Sequence, residues 1–152
     1  KLFMCLVSDI TDPCDYQCIS GESVSGVIST LPQEHTNFFS EDNEHIYWTK
    51  REKKVVTLQP RTMQSILDES NIHSIDLFSL DVEGHELNVL KSIDFSKNTI
   101  NVILIEMLNN NSELEQIRNL LKEQNYRFYD VVGRNEVYIL NTFNEIMKHE
   151  QV

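Results

Sequence analysis

The sequence predicts an α/β fold with a mostly parallel sheet, in which strands alternate with crossover helices and a hairpin adds a closing antiparallel strand. Three observations support this prediction. Residues 75–80 and 102–106 are short, nearly continuous apolar runs, as strands buried on both faces are. Segments with apolar residues at helical spacing follow both runs. Two further strand-like segments are joined around Gly133, a residue typical of hairpin turns.

The first third of the chain is predicted to contain short strands and one long loop. Residues 2–7 have the composition of a buried strand, which the turn formers of residues 8–13 end. Residues 20–45 have little periodicity and a Gly/Ser-rich start, so we expect an exposed loop or a mobile lid there. Residues 46–48 and 55–58 are strand candidates that would form a hairpin or an edge pair.

Helices are predicted on both sides of the first apolar strand. Pro60 is placed to begin a helix that ends near Asn71. After the strand, a second helix begins near Gly84, because Leu87 and Leu90 recur at helical spacing.

The last third is predicted as helix, hairpin and helix. Ser112 and Glu115 have the spacing of a capping box at the start of an amphipathic helix. Residues 126–132 and 136–140 are the two strands of the hairpin. A final helix over residues 143–148 is expected to fray.

The composition restricts the class of protein. With 152 residues, 40% of them hydrophobic, the chain is long enough for one domain with its own core. The formal net charge of −11 disfavours nucleic acid and anionic membrane surfaces as partners, because like charges repel. The sequence contains no apolar run of about 18 residues and no leader peptide, so a cytoplasmic location is the default expectation.

All three cysteines lie in the first 18 residues, at Cys5, Cys14 and Cys18. An odd number without a secretory context favours reduced thiols over a disulfide framework. Cys14 and Cys18 could supply two zinc ligands, but no matching Cys or His pair lies at a zinc-like spacing nearby.

Ionisable residues are concentrated directly after the first apolar strand, where Asp81, Glu83, His85 and Glu86 occur within six positions. In open α/β sheets ligands bind beyond the carboxyl ends of the strands, so this position favours a functional site. The alternative is that the carboxylates only cap the next helix and interact with its dipole. Spacing alone leaves both interpretations open.

Residues 75–90 run from a strand through Asp-Val-Glu-Gly-His-Glu into a helix, and they resemble the central signature of the FkbM-type S-adenosylmethionine-dependent methyltransferases. Residues 102–106 and 120–126, and upstream 55–67 and 5–9, also look like that family's pattern. The resemblance covers most of the chain. It implies a Rossmann-like methyltransferase sheet whose last strand is antiparallel, with S-adenosylmethionine as methyl donor.

The same resemblance implies that part of the donor site is missing. In such enzymes a glycine-rich turn after the first strand and an acidic residue after the second hold the donor. The four glycines of this chain include no Gly-x-Gly sequence. If residues 2–7 are the family's third strand, the first two strands precede residue 1, and residues 1–152 are a single, partial methyltransferase domain. We therefore expect this chain by itself to bind the donor weakly.

The resemblance also implies roles for individual residues. Asp81 would lie near the donor's methyl group, and Asp81, Ser8 and Asp9 are the expected cofactor-binding residues. Asp81, His85 and Glu83 are the expected catalytic residues, because transfer to oxygen often needs a base and histidine titrates near neutral pH. The alternative for His85 is a histidine exposed to water in the first helical turn.

A magnesium site is expected at the ends of the two apolar strands. Asp81 and Glu106 end successive strands, and Asn109 or Asn110 lies just beyond. This arrangement resembles catechol-type O-methyltransferases, which hold magnesium through oxygen ligands of this kind. The two carboxylates could equally remain without a metal.

The function implied is O-methylation of a small-molecule or glycan hydroxyl. The alternative is a non-catalytic methyltransferase-like domain that binds a protein partner through its acidic surface or the 20–45 loop. A flavodoxin-like or other doubly wound binding domain would explain the Asp-Val-Glu-Gly-His-Glu sequence less well.

Overall fold

A computed structural model describes residues 1–19, 25–31, 53–106 and 113–143, which contain two sheets and three helices. The strands are β1 (Cys14–Ile19), β2 (Gly26–Val27), β3 (Lys53–Leu58), β4 (Ser74–Leu80), β5 (Thr99–Glu106), β6 (Tyr126–Val132) and β7 (Asn135–Leu140). The helices are α1 (Met63–Ser70), α2 (Glu86–Lys91) and α3 (Leu114–Glu123). One sheet has the strand order β2-β1-β3, and the other has the order β4-β5-β7-β6.

The four-stranded sheet is mixed. β4 and β5 pair in parallel, whereas β7 pairs antiparallel with both β5 and β6. β4, β5 and β6 therefore run in one direction and β7 in the other. The expectation of a mostly parallel sheet with a closing antiparallel strand is confirmed in part. Three of these four strands share one direction, but the insertion of β7 between β5 and β6 makes two of the three pairings antiparallel, and the three-stranded sheet is entirely antiparallel.

The core forms where α2 and α3 pack against the four-stranded sheet. Its central strand is β5, which buries Ile100, Ile103 and Ile105 completely. Completely buried side chains of this size each contribute about 1.5–3 kcal/mol relative to an exposed position. The core also includes Leu80, Leu87, Val89, Leu90, Ile93, Ile117, Leu121, Tyr126 and Tyr138.

The predicted strand over residues 2–7 is wrong. Only Val7 forms a bridge, with Arg61, and the side chains of Leu2 and Met4 are 94% and 99% exposed. The apolar run has no partner strand along its length within the described ranges, so it gains no ladder of hydrogen bonds.

β1, by contrast, is a strand that the sequence did not reveal. It pairs with β3, while residues 46–48, the predicted partner of β3, lie outside the described residues.

Several predicted boundaries are confirmed. Asn71 ends α1 in a left-handed conformation with φ of 53°, and Gly133, with φ of 66°, lies in the turn between β6 and β7. α1 begins later than Pro60, because the side chain of Thr62 caps it by accepting a hydrogen bond from the Ser65 N–H at 3.1 Å. Ser112 and residues 144–148 lie outside the described ranges. None of the described helices has the length and apolar character that a membrane crossing requires.

Candidate functional site

The segment after β4, residues 81–86, is a tight turn that we call the motif loop. Glu83 has φ of 54° and Gly84 has φ of 94°, so two successive residues adopt conformations with positive φ. Such a conformation is ordinary for glycine and costly for glutamate. The turn is held by Glu86, whose Oε1 accepts hydrogen bonds from the Val82 and Gly84 N–H groups, both at 3.2 Å.

Glu86 is a buried structural carboxyl group. Its side chain is completely buried, and this burial raises its pKa, an effect that the hydrogen bonds from the motif loop partly oppose. Among the residues that the structure describes, its Oε2 atom has no hydrogen-bond partner. Glu86 therefore holds the motif loop in its conformation. Its Oε1 atom is occupied by these two hydrogen bonds and is not available to a ligand.

His85 is buried, with an exposed fraction of 2%, so the alternative of a solvent-exposed histidine is wrong. Its Nε2 atom lies 3.0 Å from Ser8 Oγ, and its Nδ1 atom lies 3.0 Å from Thr30 Oγ1. Thr30 donates its hydroxyl proton to the Val27 carbonyl, and this favours the tautomer in which Nδ1–H donates to Thr30 and Nε2 accepts from Ser8. Burial lowers the pKa of His85, and the charge of Asp9 partly opposes this.

Ser8 and Asp9, the expected cofactor-binding residues, have other partners in the structure. Ser8 is completely buried beneath His85 and accepts a hydrogen bond from the Ile10 N–H at 3.1 Å. Asp9 accepts a hydrogen bond from Asn88 Nδ2 at 2.8 Å. Neither lines the cavity described below, and their role in cofactor binding stays a prediction.

The carboxyl ends of β4 and β5 bring three carboxylates together. One oxygen from each of Asp81, Glu83 and Glu106 lies within 4.8 Å of the others, and we call this group the acidic cluster. Burial is the largest cause that raises the pKa of Glu106. The charge of Asp81 and a hydrogen bond between the two carboxyl groups raise this pKa further. The Arg134 guanidinium lies 3.7 Å from Glu106 Oε1. Asn109, the third expected metal ligand, lies outside the described residues.

A cavity of about 840 Å³ lies between the three-stranded sheet, the amino-terminal segment and the motif loop. Three of the expected site residues line it: Asp81, Glu83 and His85. The remaining lining residues are Met4, Cys5, Leu6, Val7, Tyr16, Cys18, Ser25, Val27, Val56, Leu58, Gln59 and Val82. The cavity thus brings together acidic residues that were predicted from the sequence and other lining residues that were not.

The residues missed from sequence come mainly from β1 and β3. Tyr16 and Cys18 line the cavity from one face of β1, while Gln17 and Ile19 are buried on the other face. The sequence signal that could have revealed β1 is the alternation of apolar and polar residues within residues 14–19, because successive side chains of a strand point to opposite faces. Cys5 and Cys18 line the cavity as free thiols, and Cys14 is also free.

Comparison with protein families matches residues 12–128 to the methyltransferase FkbM domain. The match includes the whole three-stranded sheet, the motif loop and the acidic cluster. Searches among curated proteins and among solved structures find no match.

Proposed function

The chain belongs to the FkbM methyltransferase family, and from this premise we propose that it transfers the methyl group of S-adenosylmethionine to a hydroxyl oxygen of a small-molecule or glycan acceptor. The observation that carries the proposal is that Asp81 and Glu83 line the same cavity at the carboxyl end of β4. We also propose a Rossmann-like sheet in a single, partial domain. The strand order β4-β5-β7-β6, with β7 reversed, supports the antiparallel closing strand that the family resemblance implies.

The cavity fits the charge of the donor's reactive end. A sulfonium cation is stabilised by nearby carboxylates, which Asp81 and Glu83 supply. The volume of about 840 Å³ is within the ~300–1,000 Å³ typical of small-molecule sites. The nucleotide end of the donor has no Gly-x-Gly turn in this sequence, so we expect weak binding.

The motif loop would position the acceptor and remove its proton. S-adenosylmethionine supplies a methyl group on a positively charged sulfur when bound. Asp81 is exposed at the end of β4 and accepts the proton of the acceptor hydroxyl, with Glu83 as its neighbour. Glu86 keeps the motif loop in its turn. His85 can act as a base only after Nε2 gives up its hydrogen bond with Ser8, so we assign it mainly a positioning role.

The charge of the donor provides the test. We expect the protein to bind S-adenosylmethionine about fivefold more tightly than the uncharged thioether S-adenosylhomocysteine, because one favourable charge interaction in a solvated site has about that value. Isothermal titration calorimetry with EDTA present measures both affinities. Asp81→Asn should abolish the preference.

Asp76→Asn is the matched control, since Asp76 lies on the same strand, is exposed and does not line the cavity. It should leave the preference for the cation unchanged. Equal affinities for the two compounds in the wild-type protein would refute the proposal. They would favour the alternative, a non-catalytic domain that binds a protein partner.

Magnesium binding at the acidic cluster is a separate proposal, in which Asp81 would be a metal ligand in place of the proton acceptor. Asp81, Glu83 and Glu106 offer the oxygen ligands that this ion prefers. A bound magnesium ion would polarise an acceptor oxygen. Calorimetric titration with magnesium chloride should give a heat that Asp81→Asn removes and Asp76→Asn keeps. A heat that persists in Asp81→Asn contradicts the site.

Nucleic acid and membranes are not proposed as partners, because of the net charge of −11. A reducing, cytoplasmic location is proposed because the three cysteines are free.

A further inference from the structure

The walls of the cavity are apolar and come from three separate segments. Leu6 and Val7 contribute from the amino-terminal segment, Val27 from β2, and Val56 and Leu58 from β3. Binding is favoured when an aliphatic surface of this kind buries apolar ligand surface away from water. The walls therefore favour a ligand with an apolar body.

Three uncharged polar side chains of the cavity already form hydrogen bonds with protein atoms. Tyr16 donates its hydroxyl proton to the Ser25 carbonyl, and Gln59 Nε2 donates to the Thr11 carbonyl. Ser25 Oγ accepts from the Ile19 N–H. A ligand with many hydroxyl groups would lose its water and find few hydrogen-bond partners on these walls. These contacts disfavour a glycan.

The charges of the cavity disfavour an anion. Asp81 and Glu83 contribute two carboxylates to the cavity, and the described lining residues include no lysine or arginine. Both ring nitrogens of His85, the remaining basic group, are bonded to Ser8 and Thr30. An acceptor with a carboxylate or phosphate in place of the reacting hydroxyl group would be repelled by Asp81 and Glu83.

We propose that the acceptor is an uncharged molecule with an apolar body and a single reacting hydroxyl group, such as an alkylphenol. This inference rests on the proposed function and narrows its acceptor class. The apolar body contacts Val27, Val56 and Leu58, and the hydroxyl group faces Asp81 and Glu83. In the transfer, the bond between sulfur and methyl breaks as the bond between oxygen and methyl forms. The sulfonium becomes a neutral thioether, and the hydroxyl proton passes to the Asp81 carboxylate.

Binding of three probes without any methyl donor tests the acceptor class separately from the transfer reaction. The probes are 4-butylphenol, the anion 4-butylbenzoate and the sugar methyl β-glucoside, each titrated by ligand-observed NMR. We expect 4-butylphenol to bind at least about tenfold more tightly than the other two. Comparable or tighter binding of the benzoate or the glucoside would overturn the proposal, whatever the result of the donor experiment.

Two adjacent residues of β3 provide a matched pair of variants. Successive strand residues point to opposite faces, and Val56 lines the cavity whereas Val55 is 50% exposed and does not. Val56→Trp should weaken 4-butylphenol binding at least about tenfold, and Val55→Trp should leave it within about twofold. Equal effects of the two variants would contradict binding in this cavity.

A second variant keeps the test valid if Val56→Trp does not fold. Val56→Ala enlarges the cavity, so the ratio of affinities for 4-hexylphenol and 4-butylphenol should increase relative to the wild-type protein. The same ratio in Val55→Ala should stay at the wild-type value. An unchanged ratio in Val56→Ala would place the apolar body elsewhere and refute the proposal.

Discussion

Replacing His85 by leucine should lower the free energy of unfolding by about 1.5–4 kcal/mol, because it removes the imidazole that connects three segments of the chain. Ser8 is completely buried, and its hydroxyl group would lose the Nε2 acceptor, at a cost of about 1–3 kcal/mol. Thr30 is half-buried, so water can replace its bond to Nδ1 and the loss there is about 0.5–1 kcal/mol.

A double-mutant cycle with Ser8→Ala isolates the bond between the two side chains. Urea denaturation of the wild-type protein, both single variants and the double variant gives the coupling, which we expect to be at least about 1 kcal/mol. His73→Leu, at an exposed histidine, is the control and should change stability by no more than about 0.5 kcal/mol. Additive effects of His85→Leu and Ser8→Ala would refute the described network.

Three further predictions concern stability measured by urea denaturation. Burial lowers the pKa of His85, so below about pH 6.5 the unfolded chain binds more protons than the folded protein, and stability falls as the pH drops. The stability difference between wild type and His85→Leu should therefore shrink from pH 7 to pH 5; a constant difference would show that the imidazole does not titrate differently on unfolding. Tyr126→Phe should cost about 1–2 kcal/mol, because the buried hydroxyl donates to the Ile100 carbonyl at 2.8 Å, and no loss would argue against that bond. Asn71→Gly should stabilise the protein by about 0.5 kcal/mol, since φ is 53° at this helix end, and a loss of stability would contradict the left-handed cap.

The part of the site that sequence predicts is the part that lies within one continuous segment. An apolar strand that ends in acids and leads into a helix puts Asp81 and Glu83 at the carboxyl end of a strand, and the structure has them there. The expectation that this strand is buried on both faces is wrong, because β4 lies at the edge of the described sheet and Leu77 is 59% exposed. The second strand end brings Glu106 to the same place, because β4 and β5 are parallel neighbours. Strand polarity alone is enough for this inference.

The walls of the cavity were not predictable in the same way, because they depend on pairing between distant segments. Tyr16 lies opposite Val56 only through the β1–β3 pairing, which joins residues separated by 40 positions of little periodicity. The surroundings of His85 could not be predicted for the same reason. Its partners Ser8 and Thr30 lie 77 and 55 residues away, so its burial could not be read from the first turn of α2.

The insertion of β7 between β5 and β6 has a consequence for the order in which the protein folds. β5 is the central strand, yet its second neighbour is the last strand of the described chain, reached only after β6 has been made. During synthesis, the backbone edge of β5 that pairs with β7 stays unpaired until residues 135–140 leave the ribosome. A nascent chain stalled before that point would present a strand edge with unpaired backbone N–H and C=O groups, which is a substrate for chaperones and a template for aggregation.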